Sequence, residues 1–349
     1  MKVNKDYRHS KPTFLKSDFQ TCQKVIESHY LAKGPQNKDL EEYLCQRYQR
    51  KYCHLVSSGA NALFLALHVL KKDFKKVTLP SYVCAALLNS ANMANYQTDI
   101  IDTSKDSLFM DPNKSLKSDK ELIIYPQMFG CVQKLNFKKN KTIIEDCAMT
   151  LGKTALKQGL ISITSFYATK MITSGQGGAL LTDDKYIHEE LKDITTYDNQ
   201  EHYRQRFNFD LSDLNAALLK NQFKHLDSFI DKRRRLTSYY DSYIKKYNAN
   251  LLAYPEGISS QFEDAAPFRY WILCKNIDES IDKLSKTGIE CKRPVFKPLH
   301  RYMNKPDKNY PNTVFSQKYI LSLPLYPGLN KSDINFITKQ VTNISKPID

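Results

Sequence analysis

Short apolar runs alternating with helical stretches predict an α/β protein: a mostly parallel sheet covered by helices, with a smaller α+β part at the C-terminal end. Two further observations support this. An apolar run, Thr142 to Glu145, delivers Asp146 at its end, and another, Ile161 to Tyr167, leads into Lys170. Polar residues at the carboxyl ends of parallel strands face the crevice where open α/β sheets bind ligands. At 349 residues the chain is long enough for two domains, which the pattern places at 1–240 and 241–349.

In chain order, Gly34-Pro35 opens a helix running to Gln49, with Leu40, Tyr43, Leu44 and Arg47 on one side. Cys53 to Ser57 is the first strand. Ser57-Ser58-Gly59-Ala60-Asn61 then turns directly into a helix that is apolar nearly all round, Leu63 to Leu70. A small-residue turn of this kind leaves backbone N–H groups free at a helix N-terminus, where the dipole favours an anion. It is a candidate phosphate cradle. Val77 to Pro80 leads to Ser81 through Ala86 and a further helix, followed by strands at Thr98 to Asp102 and Leu122 to Tyr125. After Lys170, a Gly-rich return brings the chain into the strand Gly178 to Thr182, and a helix starts at Asp183 or Asp184. Asn199 to Arg206 reads as a polar mobile loop, and a long helical pattern runs through Gln222, Leu226, Ile230 and Tyr239. In the last third, Tyr270 to Cys274 and Gly288 to Cys291 read as strands flanking a helix from Asp278 to Lys286.

The bulk properties exclude several classes. The net charge of +15 favours anionic partners, yet the clusters Lys71-Lys72, Lys75-Lys76, Lys138–Lys141 and Arg233–Arg235 are short and scattered. No nucleic-acid module, dinucleotide fingerprint or P-loop accompanies them, so nucleic acid is not an expected partner. There is no apolar run of the roughly eighteen residues that a membrane span needs, and Met1 to Phe14 lacks a signal-peptide core. Eight scattered cysteines without metal-ligand spacing read as reduced thiols, so the expected location is cytoplasmic and no metal is expected.

A lysine fixed at a strand end and an aspartate at a neighbouring strand end are the two groups that pyridoxal phosphate (PLP) chemistry most needs. The runs carrying them resemble the DegT/DnrJ/EryC1/StrS family of sugar aminotransferases. Its E-D-x-A, S-F-x-x-x-K and T-x-G-x-G-G motifs match Glu145–Ala148, Ser165–Lys170 and Thr173–Gly178. Its S-S-G-T-x-A-L matches Ser57–Leu63, its Y-N-Y-R-M-S-E-L-Q-A-A matches Phe207–Ala217, and its P-L-H matches Pro298–His300. The resemblance spans roughly Gly34 to Asn330 and implies fold type I of the PLP-dependent transferases.

It further implies that Lys170 forms the Schiff base and shuttles the proton, while Asp146 holds the pyridine nitrogen. The Ser58–Gly59–Ala60–Asn61 turn, Ser165 and Asn208 from a partner subunit of a homodimer would bind the phosphate. Tyr82 or Cys84 would lie against the ring, and Met149 stands where the family glutamine meets the ring hydroxyl. The implied reaction moves an amino group from L-glutamate to the keto group of a nucleotide-activated deoxysugar. Ala60, Cys84, Met149, Gln176 and Asp210 depart from the family pattern. The alternatives are an aminotransferase for a small phosphorylated ketone, a PLP-dependent sugar dehydratase, and a non-catalytic binding protein of the same fold. In the dehydratases a histidine replaces the lysine, so Lys170 argues against that assignment.

Overall fold

The computed structural model describes residues 6–104, 108–110, 121–135, 141–254 and 266–348, so Lys138 and Lys139 of one basic run lie outside the described residues. Its centre is a seven-stranded sheet of β1 (Tyr52–Val56), β2 (Lys76–Pro80), β3 (Gln97–Ile101), β4 (Glu121–Pro126), β5 (Lys141–Asp146), β6 (Ile161–Ser165) and β7 (Gly178–Thr182). The order across the sheet is β1-β7-β6-β5-β4-β2-β3. β7 runs antiparallel to both its neighbours, and the remaining pairs are parallel. The sheet is thus mostly parallel, with every expected strand up to β7 within a residue or two of its place.

Strand sequence explains how both faces are covered. In β7, Ala179 and Leu181 enter one apolar core while Leu180 enters the other, the period-two alternation of a pleated strand. One core takes Leu40, Leu44 and Tyr48 of α2 (Pro35–Tyr48); the other takes the almost wholly buried α3 (Gly59–Leu70). The long helix α6 (Asp213–Asn248) packs against α1 (Lys16–Glu27) and α2. Its first residue, Asp213, is fully buried and clamps the start of α2. Asp213 Oδ1 accepts from the N–H groups of Gly34 (2.9 Å) and Asn37 (3.0 Å), and Oδ2 from that of Gln36 (3.1 Å). Four orphan donors at a helix start need such partners, and an acidic side chain satisfies them while matching the dipole.

Beyond β7, Asp184 caps α5 (Lys185–Thr195), accepting from the Ile187 N–H at 3.1 Å. α6 passes unbroken through residues 240 and 241, where the sequence pattern places its division. The remainder holds β8 (Tyr270–Leu273), α7 (Ile277–Ser285), α8 (Leu299–Tyr302), α9 (Pro311–Tyr319), β9 (Ile320–Leu323) and α10 (Lys331–Ile344), with β8 and β9 paired antiparallel. Gly288 to Cys291 does not form the expected strand. Ile289 bridges Tyr7 and Lys292 bridges Ser322, so consecutive residues never share one ladder. Among the described residues no helix is long and apolar enough to cross a membrane.

Candidate active site

β5 and β6 are parallel neighbours, with Asp146 opposite Ile163, so their carboxyl ends open on the same edge of the sheet. The acidic pair at the end of β5 divides by pleat. Glu145 is fully buried and structural: it accepts from the Ser162 hydroxyl (2.7 Å), the Gln158 N–H (3.1 Å) and Gln127 Nε2 (3.2 Å). The Asp146 carboxylate, on the opposite face, has one protein hydrogen bond, from the Ala148 N–H to Oδ1 at 2.9 Å. Its Oδ2 has no partner among the described residues. Burial pushes the Asp146 carboxyl up from its ordinary range, against the pull of the Ala148 N–H and the Lys170 charge.

Lys170 sits in the return from β6 to β7, which its own hydrogen bonds hold in shape. The Lys170 N–H donates to the Tyr167 carbonyl (2.9 Å) and the Thr173 hydroxyl to the Phe166 carbonyl (2.9 Å). Gly175 donates its N–H to Thr173 Oγ1 at 2.8 Å, and its φ of +86° is one that glycine adopts without strain. Lys170 Nζ stands 5.6 Å from the Phe268 ring centroid. Burial lowers the ammonium pKa, while the neighbouring Cys84 thiol and Asp146 push it back. Cys84 is in turn raised by burial and by Asp146, so Cys84, Asp146 and Lys170 lie near enough to one another for their charges to interact. Tyr82 is not part of this group. Its ring is fully buried in the core and its hydroxyl donates to the Ser316 carbonyl at 3.4 Å, with no contact to Lys170 or Asp146 among the described residues.

The turn before α3 is the third component. Ser58 is an N-cap in extended conformation whose Oγ accepts from the Asn61 N–H at 3.1 Å. Asn61 donates one N–H of its side-chain amide to Ser57 Oγ at 2.9 Å, so its backbone N–H and half of its amide are engaged within the turn. The open backbone donors are the N–H groups of Gly59 and Ala60, which have no partner among the described residues. Ser165, the last residue of β6, packs directly against Gly59. Gly178 packs as closely on the Ser58 backbone: a Cβ there would lie 2.5 Å from the Ser58 carbonyl carbon. Two glycines thus bring a helix N-terminus and a serine hydroxyl together.

The remaining expected positions have these surroundings. Met149 is half-buried against both cores. Asn208 is exposed, beside Phe209, whose carbonyl accepts from the Ser57 N–H at 2.7 Å. Asp210 pairs with Lys33 at 2.7 Å. The 199–206 loop is tethered, since Arg204 and Arg206 both bind Asp193, at 2.6 and 2.8 Å. His300 is fully buried between Ser81 Oγ (2.6 Å) and Asp307 (2.8 Å) and presents no free edge. Sequence reading missed Arg269, whose guanidinium lies 4.2 Å from the Phe268 ring beside Lys170.

The donor set fits PLP: an open carboxylate oxygen for a protonated pyridine nitrogen, a lysine amine, and unpaired N–H groups with a hydroxyl for a phosphate. Solved structures of the same architecture include the Helicobacter pylori aminotransferase PseC, involved in the biosynthesis of pseudoaminic acid. It is 20% identical with a TM-score of 0.85, covering 97% of this chain and 99% of that one. The aminotransferase TlmJ of Streptoalloteichus hindustanus is 19% identical with a TM-score of 0.86, covering 97% and 98%. A GDP-4-keto-6-deoxymannose-3-dehydratase is also similar, 18% identical with a TM-score of 0.83, covering 96% and 100%. At these identities the likeness is one of fold. The family model for DegT/DnrJ/EryC1/StrS aminotransferases, however, matches residues 13–342, almost the whole chain. This protein belongs to that family of PLP-dependent aminotransferases, with fold type I and PLP as its cofactor.

Proposed function

We propose that this enzyme transfers the amino group of L-glutamate to the keto group of a nucleotide-activated deoxysugar. The observation that carries the reading is Lys170 and Asp146 within charge-interaction range of each other at or just beyond adjacent strand ends, with the N-terminus of α3 packed against Ser165. Asp146 Oδ2 would hold the pyridine nitrogen. The Gly59 and Ala60 N–H groups with the Ser58 and Ser165 hydroxyls would hold the phosphate, joined by Asn208 of the partner subunit in a homodimer. PLP, when bound, supplies an electron sink for the charge left as a carbon beside nitrogen loses its proton.

Lys170 Nζ takes that proton and returns one. Its lowered pKa enlarges the fraction in the free-amine form near neutral pH, the form a base needs. The unpaired carboxylate of Asp146 favours a positive charge at the ring nitrogen, so the sink stays open. Cys84, where the family has a ring-stacking aromatic, gives the site a smaller wall.

The structural likeness to a dehydratase makes loss of a sugar hydroxyl the second reading. Lys170 opposes it, because a base that moves a proton between the amine-bearing carbon and the cofactor's C4′ is what transamination needs. An absorbance spectrum of the purified protein, before and after L-glutamate, tests the first half-reaction, with Lys170→Ala as control. Conversion with stoichiometric release of 2-oxoglutarate in wild type alone supports the proposal. Nucleotide-activated keto sugars are then supplied. Nitrogen retained in the sugar identifies an aminotransferase, and ammonia release with a deoxygenated sugar a dehydratase. A protein that stays colourless with added PLP removes the enzymatic assignment.

A further inference from the structure

The two buried arginines among the described residues, Arg50 and Arg233, have acceptors, whereas Arg269 is half-buried. Arg50 donates to the carbonyls of Leu156, Gly159, Leu160 and Leu181 and pairs with Asp183. Arg233 donates to the carbonyls of Leu325 (2.8 Å) and Phe268 (3.5 Å). Arg269 differs. Its guanidinium makes no hydrogen bond or ion pair among the described residues, and its nitrogens are not sealed in the core. Glu290, the one carboxylate whose charge reaches it, is engaged with Lys292 (2.7 Å) and the His9 N–H (2.9 Å).

The position is fixed by the backbone. The N–H groups of Phe268 and Arg269 donate to the Phe129 carbonyl (2.9 and 3.3 Å), and that of Ala266 to the Gly130 carbonyl (3.0 Å). Gly130 has a φ of +101°, and a Cβ there would lie 2.0 Å from the Ala266 carbonyl oxygen. The segment entering β8 is thereby laced to the loop after β4. Arg269 Cζ and Lys170 Nζ both rest on the Phe268 ring, at 4.2 and 5.6 Å from its centroid. Two groups tied to one centroid are no more than about 10 Å apart. A planar cation held at that distance, with its whole donor fork open, matches a carboxylate in charge and in bidentate shape.

We propose that Arg269 binds a carboxylate of the amino-acid donor and orients the donor's reacting carbon towards Lys170. The proposal rests on the aminotransferase reading above. An amino acid carries its α-carboxylate on the reacting carbon itself, within the span between the two cations. The diphosphate of a sugar nucleotide shares the anionic chemistry, but the sugar ring separates it from the reacting carbon.

Arg269→Met and Arg269→Lys are compared with wild type, after PLP content and Tm have shown all three to be folded and loaded. In the first half-reaction, Arg269→Met is expected to raise the apparent dissociation constant for L-glutamate about 100-fold, and Arg269→Lys about 10-fold. Calorimetric titration of glutarate, an unreactive dicarboxylate, should show the same order of losses without any turnover. Protein charged with the amino group beforehand should aminate the keto sugar nucleotide at the wild-type KM in both variants. Unchanged glutamate and glutarate affinity in Arg269→Met overturns the assignment. So does a defect confined to the sugar-nucleotide step, which would place the diphosphate at Arg269 instead. If wild type itself does not respond to glutamate, the proposed function fails, which is a result distinct from either.

Discussion

Gly59 and Ser165 touch across the gap between α3 and β6: a Cβ on Gly59 would lie 2.6 Å from the Ser165 Cβ and 3.0 Å from its Oγ. No real side chain tolerates such a contact, so Gly59→Ala must separate the helix N-terminus from the strand end. Cofactor affinity is expected to fall about 10- to 100-fold, the effect of roughly 1–3 kcal/mol of overpacking. Ser165→Ala removes only a hydroxyl and should cost about tenfold or less. Fluorescence titration with PLP gives both values, and a wild-type affinity in Gly59→Ala would show that this contact does not shape the phosphate site.

The acids Glu145 and Asp146 should respond to substitution in opposite ways. Asp146→Asn keeps the Ala148 hydrogen bond to its side-chain oxygen, so the fold should persist while turnover drops about 100- to 1,000-fold. Glu145→Ala strands the donors on Ser162, Gln158 and Gln127 and should cost about 3 kcal/mol of stability. Denaturant unfolding and steady-state kinetics on both variants separate the two roles. An inactive but fully stable Glu145→Ala would contradict this division.

Glu41, on α2, accepts from the Leu55 N–H at 3.1 Å, and burial pushes its carboxyl up to about 7. The folded state then binds the proton more tightly than the unfolded one. Stability linked to Glu41 is fully present below pH 4.5 and is lost as the pH rises through 7. Glu41→Gln keeps the acceptor and removes the charge. It should stabilise the protein by about 2 kcal/mol at pH 8 and by almost nothing at pH 4. Unfolding midpoints at those two pH values are the test, and an equal effect at both would show that the carboxyl does not titrate with folding.

Asn208 supports a complementation test of the proposed shared site. Lys170→Ala and Asn208→Ala chains, each impaired alone, are mixed to form hybrid dimers. If Asn208 serves its partner's phosphate, the hybrid contains one fully wild-type site and should recover up to about half of wild-type activity. Recovery no greater than the sum of the two parents would place Asn208 in its own subunit's site or outside any site.

The elements nearest the sheet were legible because local sequence dictates them. The turn Ser58–Asn61, Asp146, Ser165 and Lys170 all lie at or just beyond strand ends, where alternation and glycine placement fix the backbone. The detailed donors were not legible. Asn61 suggested a ligand contact, but one donor of its amide is turned back onto Ser57, a choice that only the folded turn reveals. Tyr82 and Cys84, two residues apart, lie respectively in the core and near Asp146 and Lys170. Arg269 left no local signal at all. Its importance comes from what fails to surround it, and that depends on Phe129 and Lys170, each about a hundred residues or more away in sequence.

The continuity of α6 bears on how the enzyme moves. Its 36 residues make a rod about 54 Å long. One end clamps α2 through Asp213; further along, Arg233 and Tyr240 donate to the carbonyls of Leu325 and Pro324 (both 2.8 Å), and Asp241 accepts from the Tyr270 hydroxyl (2.8 Å). Such a beam leaves no hinge at residue 240 about which the C-terminal part could swing. A swing of the C-terminal part about residue 240 would require this helix to break, so none is expected during turnover.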